Sequence, residues 1–140
     1  MQNRFTILLL VLLSVVSNSC KKEDPIVEEL PEVENSEIIF KGGFVSSAHA
    51  TKGSARVESN SIISNLIIDD FETDNGPDLR VYLSVDRKDN DFVDLGPLKS
   101  TSGRFSYSIE QNVDVATYNN VLIWCEDFSV LFGYAELSEP

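Results

Sequence analysis

The sequence predicts an all-β protein, an antiparallel β-sandwich or barrel of about seven to nine short strands. Three observations predict it. Beyond residue 36 no apolar series recurs at helical spacing, short runs alternate apolar and polar residues with period two, and Gly, Pro and Asn pairs separate those runs at short intervals. A chain of 140 residues suits one domain of ordinary size. With 42% hydrophobic and 24% charged residues, the composition argues against wholesale disorder and against a multispan membrane protein.

The elements follow in chain order. Arg4 precedes an apolar run from Phe5 to Val16, interrupted by Thr6 and Ser14. That run falls short of the roughly 20 residues a membrane-spanning helix needs and suits the core of a signal peptide over residues 1–19. Ser17, Asn18 and Ser19 lead to Cys20, the expected lipidation site of a bacterial lipoprotein, although Ser17 stands where leucine is usual. Several buried acyl chains would hold a soluble domain at a membrane. The expected location is therefore the cell envelope, and Lys21, Lys22, Glu23 and Asp24 suit display on the outer membrane surface. Residues 20–36 carry two prolines, six acids and no aromatic, the composition of a disordered linker.

The domain proper is predicted over residues 37–140. Leu79, Val81, Leu83 and Val85 alternate with Arg80, Tyr82, Ser84 and Asp86, so one face is expected to be buried; Phe105, Tyr107 and Ile109 repeat the pattern. Ser61–Phe71 is longer and mixed. Val121–Cys125 and Phe128–Leu137 are apolar on both parities, as expected of strands covered on both sides. Gly42-Gly43, Lys52-Gly53, Asn75-Gly76-Pro77, Gly96-Pro97 and Ser102-Gly103 are read as turns. Asp114 is placed to cap one helical turn. Phe44, Phe71, Phe92, Trp124, Phe128 and Phe132 are read as core aromatics.

The net charge of -12, of which -9 falls on residues 37–140, would repel phosphate backbones. Nucleic acid is thus not an expected partner, and a basic partner is favoured. Chemistry must run through few groups. Once a signal peptide is removed and Cys20 acylated, Cys125 is the sole free thiol, and His49 is the single histidine. A lone cysteine on a core strand often serves as a small hydrophobe, and Glu126 and Asp127 beside it oppose thiolate formation. The acidic stretches Asp69–Asp78 and Asp86–Asp94 miss the EF-hand spacing and read as solvated turns. No Gly-x-Ser-x-Gly elbow and no third strong zinc ligand accompany His49 and Cys125, so hydrolase chemistry and zinc catalysis are poorly supported.

The Asn65–Glu72 stretch, the Gly76-Pro77-Asp78-Leu79 turn entering Val81-Tyr82-Leu83, Leu95-Gly96, Gly103 with Tyr107, and Ile123-Trp124-Cys125 followed by Phe128, Phe132-Gly133 and Ala135–Leu137 together resemble the DM-thirteen domain. The resemblance runs from about Phe40 to Leu137. It implies a sandwich related to DOMON-type domains and an electron-transfer or thiol-redox role centred on Cys125, with His49 as its partner and Gly76, Pro77 and Asp78 as a structural turn. A redox module rather than a stand-alone enzyme is implied. Haem, bound by some DOMON-type relatives through Met and His, is the cofactor to weigh; Met1, the sole methionine, lies in the expected signal peptide, which leaves His49 with Cys125. The competing expectation is a noncatalytic surface module for a protein, glycan or cation, and it requires Cys125 to be fully buried.

Overall fold

A computed structural model describes residues 25–29 and 34–140. The expected signal peptide, Cys20 and most of the linker lie outside the described residues. Among the described residues nine strands form: β1 (Ile26–Val27), β2 (Glu37–Ser46), β3 (Thr51–Ser59), β4 (Ser64–Thr73), β5 (Leu79–Ser84), β6 (Phe92–Pro97), β7 (Ser102–Ile109), β8 (Asn120–Cys125) and β9 (Val130–Glu136). They hydrogen-bond in the order β1-β7-β4-β3-β2-β9-β8-β5-β6, a single sheet curled over on itself. All pairings are antiparallel except β1 with β7. The all-β class expected from the periodicity is what the chain adopts.

The curl is made by β2. Its first part, Glu37–Gly43, pairs with β3, and its last part, Phe44–Ser46, pairs with β9, so one strand belongs to both layers. At the changeover a side chain on Gly42 would run into the Glu136 carbonyl, and glycine allows the close approach. Between the layers lie Val57, Leu66, Ile68 and Phe105 from one side and Val81, Leu83, Val121 and Ile123 from the other, all at 0% exposure. These are the inward members of the alternating runs. Each fully buried aliphatic or aromatic side chain contributes roughly 1.5–3 kcal/mol to folding.

Several local expectations need correction. Of the five glycine signals read as turns, only Asn75-Gly76-Pro77 lies between strands. Gly53 and Gly96 sit at β-bulges with φ of 115° and 117°, Gly42-Gly43 is the sheet corner, and Gly103 lies within β7. The reason is general: a bulge demands the same left-handed backbone as a tight turn. Asp114 does cap a single turn, accepting the Ala116 N–H at 3.1 Å and the Thr117 hydroxyl at 2.7 Å, but no helix follows. Part of the expected linker is ordered, because Ile26–Val27 adds to the β7 edge as β1. Two of the expected core aromatics lie outside the core: Phe92 is 36% exposed on the edge strand β6, and Phe128 is 68% exposed, since β9 starts only at Val130 after a four-residue turn.

Candidate functional site

Every residue of β8 is buried, with Val121, Ile123 and Cys125 facing the main core and Leu122 and Trp124 facing outward. Cys125 is 0% exposed and packs as a hydrophobe. The β5–β8 register pairs Leu79 with Cys125 and Arg80 with Trp124, and the Glu126 N–H donates to the Asp78 carbonyl at 2.9 Å. The Gly76-Pro77-Asp78 turn and the Trp-Cys strand end, far apart in sequence, are therefore direct neighbours. Gly76 is closely packed: a Cβ there would lie 2.9 Å from Leu79 Cδ2 and 3.0 Å from the Phe132 ring, so those side chains would have to shift. Asp78 shapes the turn through its backbone carbonyl rather than its side chain, which faces Arg80 at 3.8 Å; the side-chain bond within the turn comes from Asn75 Oδ1, accepting the Gly76 N–H at 3.0 Å.

His49 lies in the β2–β3 loop, whose Ser47 and His49 N–H groups both donate to the Phe132 carbonyl. Its ring stacks on Phe132 at 3.8 Å between centroids, and Nδ1 lies 3.1 Å from Asp74 Oδ2. The imidazole is partly exposed. Its hydrogen-bonding partner is thus Asp74 rather than the thiol, and the ring it stacks on, Phe132, belongs to the same core cluster as Cys125.

The outer face of this layer carries an arrangement that the periodicity did not announce. Tyr82, on the side of β5 expected to meet solvent, is 0% exposed. Its ring stacks under Phe92 at 4.2 Å and beside Trp124 at 6.5 Å, and its hydroxyl donates to Glu126. Burial, and then the Glu126 carboxylate, push the phenol well above the usual tyrosine range. Arg80, bound to Asp94 at 2.7 Å, flanks the group. Tyr82 and Glu126 were missed because only the β5–β8 register brings them together; the one sequence signal was an aromatic on the polar parity of β5.

The acidic stretches are engaged locally. Asp69 is shared by Arg56 and Arg104, Glu72 pairs with Lys52, and Asp91 accepts the Tyr118 hydroxyl. Among the described residues no three His, Cys, Asp or Glu side chains converge as a metal site. A haem ligated by His49 and Cys125 does not fit this arrangement, because the sulfur is sealed inside the core while the imidazole is bound to Asp74 in a surface loop.

A curled β-sheet domain whose Gly-Pro-Asp turn is clamped against a buried Trp-Cys strand end defines the class. The chain belongs to the Electron transfer DM13 family, whose model matches residues 43–137. Its coarse role is accordingly electron transfer or redox chemistry. No curated protein and no solved structure matches the chain.

Proposed function

We propose that this domain is a one-electron transfer module of the bacterial cell envelope, tethered to a membrane through acylated Cys20 and meeting partners with basic surfaces. Membership of the electron-transfer family carries the reading, and Cys125 is its proposed centre, with His49 near the same core through Phe132. Thiol–disulfide exchange in the native state has less support. Exchange requires a thiolate to attack a sulfur along an open line, and a thiol at 0% exposure offers none. Electron transfer needs no such line to the sulfur, only that the thiol proton pass to a base as the electron leaves.

A second reading is favoured by that same burial: a noncatalytic surface module for a protein, glycan or cation in which Cys125 fills space. Mediated voltammetry of the full chain purified from its native host separates the two. A redox wave in the wild type that Cys125→Ala abolishes, with the fold retained, is the expected result. A wild type with no wave overturns electron transfer; a wave unchanged in Cys125→Ala overturns the cysteine as its centre. The mass of the N-terminal peptide tests the tether, which an unmodified Cys20 would rule out.

A further inference from the structure

Tyr82 is a phenol with no contact to water, yet its hydroxyl donates to the carboxylate of Glu126, an exposed residue in the β8–β9 turn. Such a pair has an apolar, stacked body on one side and a proton outlet on the other. The rings continue diagonally across three adjacent strands. Phe92 on the β6 edge stacks on Tyr82 of β5 at 4.2 Å, and Tyr82 lies beside Trp124 of β8 at 6.5 Å with planes 25° apart. These are diagonal cross-strand neighbours: Tyr82 pairs with Leu122 and Asp94, two positions from Trp124 and Phe92. The inner end of the stack, Trp124, is joined through the backbone to Cys125.

We propose that Tyr82, Glu126 and Trp124 form a proton-coupled one-electron relay on the outer face of the domain, an inference that rests on the electron-transfer reading above. In the step, Tyr82 gives one electron to a high-potential one-electron oxidant, a high-valent (ferryl) iron centre carried by a partner, which falls to the ferric level. Its O–H bond breaks and a carboxyl O–H forms on Glu126 Oε1, leaving a neutral phenoxyl radical and a neutral carboxylic acid. One electron from a reduced partner and return of the proton restore the starting pair. Trp124 extends the stack by giving up an electron and taking one back from Tyr82.

The requirement for a base is chemical. A phenol that loses an electron becomes a far stronger acid, so electron loss is easiest when a proton acceptor is already hydrogen-bonded. Glu126 is that acceptor. The other charged groups near the phenol, Arg80 and Asp94, are occupied with each other at 2.7 Å. Burial and the carboxylate also keep Tyr82 protonated at neutral and mildly alkaline pH, so simple ionisation does not precede oxidation.

The test is flash-quench oxidation of the full chain with photogenerated tris(bipyridine)ruthenium(III), followed by transient absorption and electron paramagnetic resonance. Because Tyr118 also donates to a carboxylate, that of Asp91, every protein in the test carries Tyr118→Phe. In that background Tyr82 is expected to give a neutral tyrosyl radical that Tyr82→Phe removes, although Tyr107 and Tyr134 remain. Glu126→Gln, which keeps the turn and the hydrogen-bond geometry but removes the base, is expected to slow radical formation roughly a hundredfold, within the range for a positioned general base. Trp124→Phe should slow it without removing the radical. A radical of unchanged yield in Tyr82→Phe, or an unchanged rate in Glu126→Gln, would overturn the relay. Flash-quench reads the relay whatever the physiological role, and voltammetry reads that role, so the two can fail separately.

Discussion

Cys125 fills a site that accepts a small apolar group and little else. Replacing its sulfur by a hydroxyl leaves a buried donor and acceptor in an apolar core, so Cys125→Ser should lower the unfolding free energy by about 1–3 kcal/mol. Urea denaturation measures this, and an unchanged midpoint would mean that the site is not sealed. Tyr107 makes a second residue-scale prediction. Its hydroxyl donates to the Pro97 carbonyl at 2.9 Å and accepts the Lys99 N–H at 3.0 Å, and burial pushes its pKa up to about 12. An unfolded tyrosine ionises near pH 10. Between about pH 10 and 12 the unfolded state therefore binds fewer protons than the folded one, and stability should fall with rising pH by about 2–3 kcal/mol. Tyr107→Phe should flatten that slope in denaturation curves across the same range. At this scale the sequence made Cys125, His49 and the Gly76 turn visible. The Tyr82–Glu126 pair was not, since it joins residues 44 positions apart through a strand register that period-two alternation leaves undetermined.

At the scale of elements, β1 is the part least legible from composition. A segment of acids and prolines reads as a tether, and only its tertiary partners order it. The Glu28 N–H donates to the Arg104 carbonyl at 2.8 Å, while the Glu28 carboxylate accepts from Lys99 Nζ at 2.8 Å and from the Ser106 N–H at 2.9 Å. Gly103, at φ 113°, has no Cβ to collide with the Ile26 backbone. Gly103→Ala should accordingly release β1, read as faster proteolysis after residues 25–29 with the rest of the domain intact. The Lys99 hydrogen bond, ahead of an opposing burial effect, holds the Glu28 carboxyl below its usual range. The clasp is therefore at full strength above the ordinary carboxylate pKa and weakens as pH falls through the lowered value. Hydrogen exchange at the β1–β7 amides should accelerate in that acid window and lose the dependence in Glu28→Gln. The strands themselves were legible wherever apolar and polar residues alternate, as in β5 and β7, although Tyr82 and Ser84 bury the second face of β5 as well. The glycines were misread because a bulge and a turn make the same demand on φ.

For the whole molecule, the class could be inferred from strand spacing, but the strand order could not. Nothing local dictates that β9 lies between β2 and β8, or that β2 serves both layers. Such pairings join distant parts of the chain, and loop-closure entropy must be met before they stabilise anything. Refolding should thus take milliseconds to seconds rather than microseconds, as stopped-flow fluorescence of Trp124 would record; a microsecond phase carrying the full amplitude would contradict the topology. The docking of β1 has a mechanical corollary. Pro25 adjoins β1 on the β7 edge, so a pull applied at Pro25 loads two residues and one carboxylate before it reaches either layer. Detachment of that short clip would act as a fuse, baring the β7 rim while the aromatic stack and the sealed thiol stay unstressed.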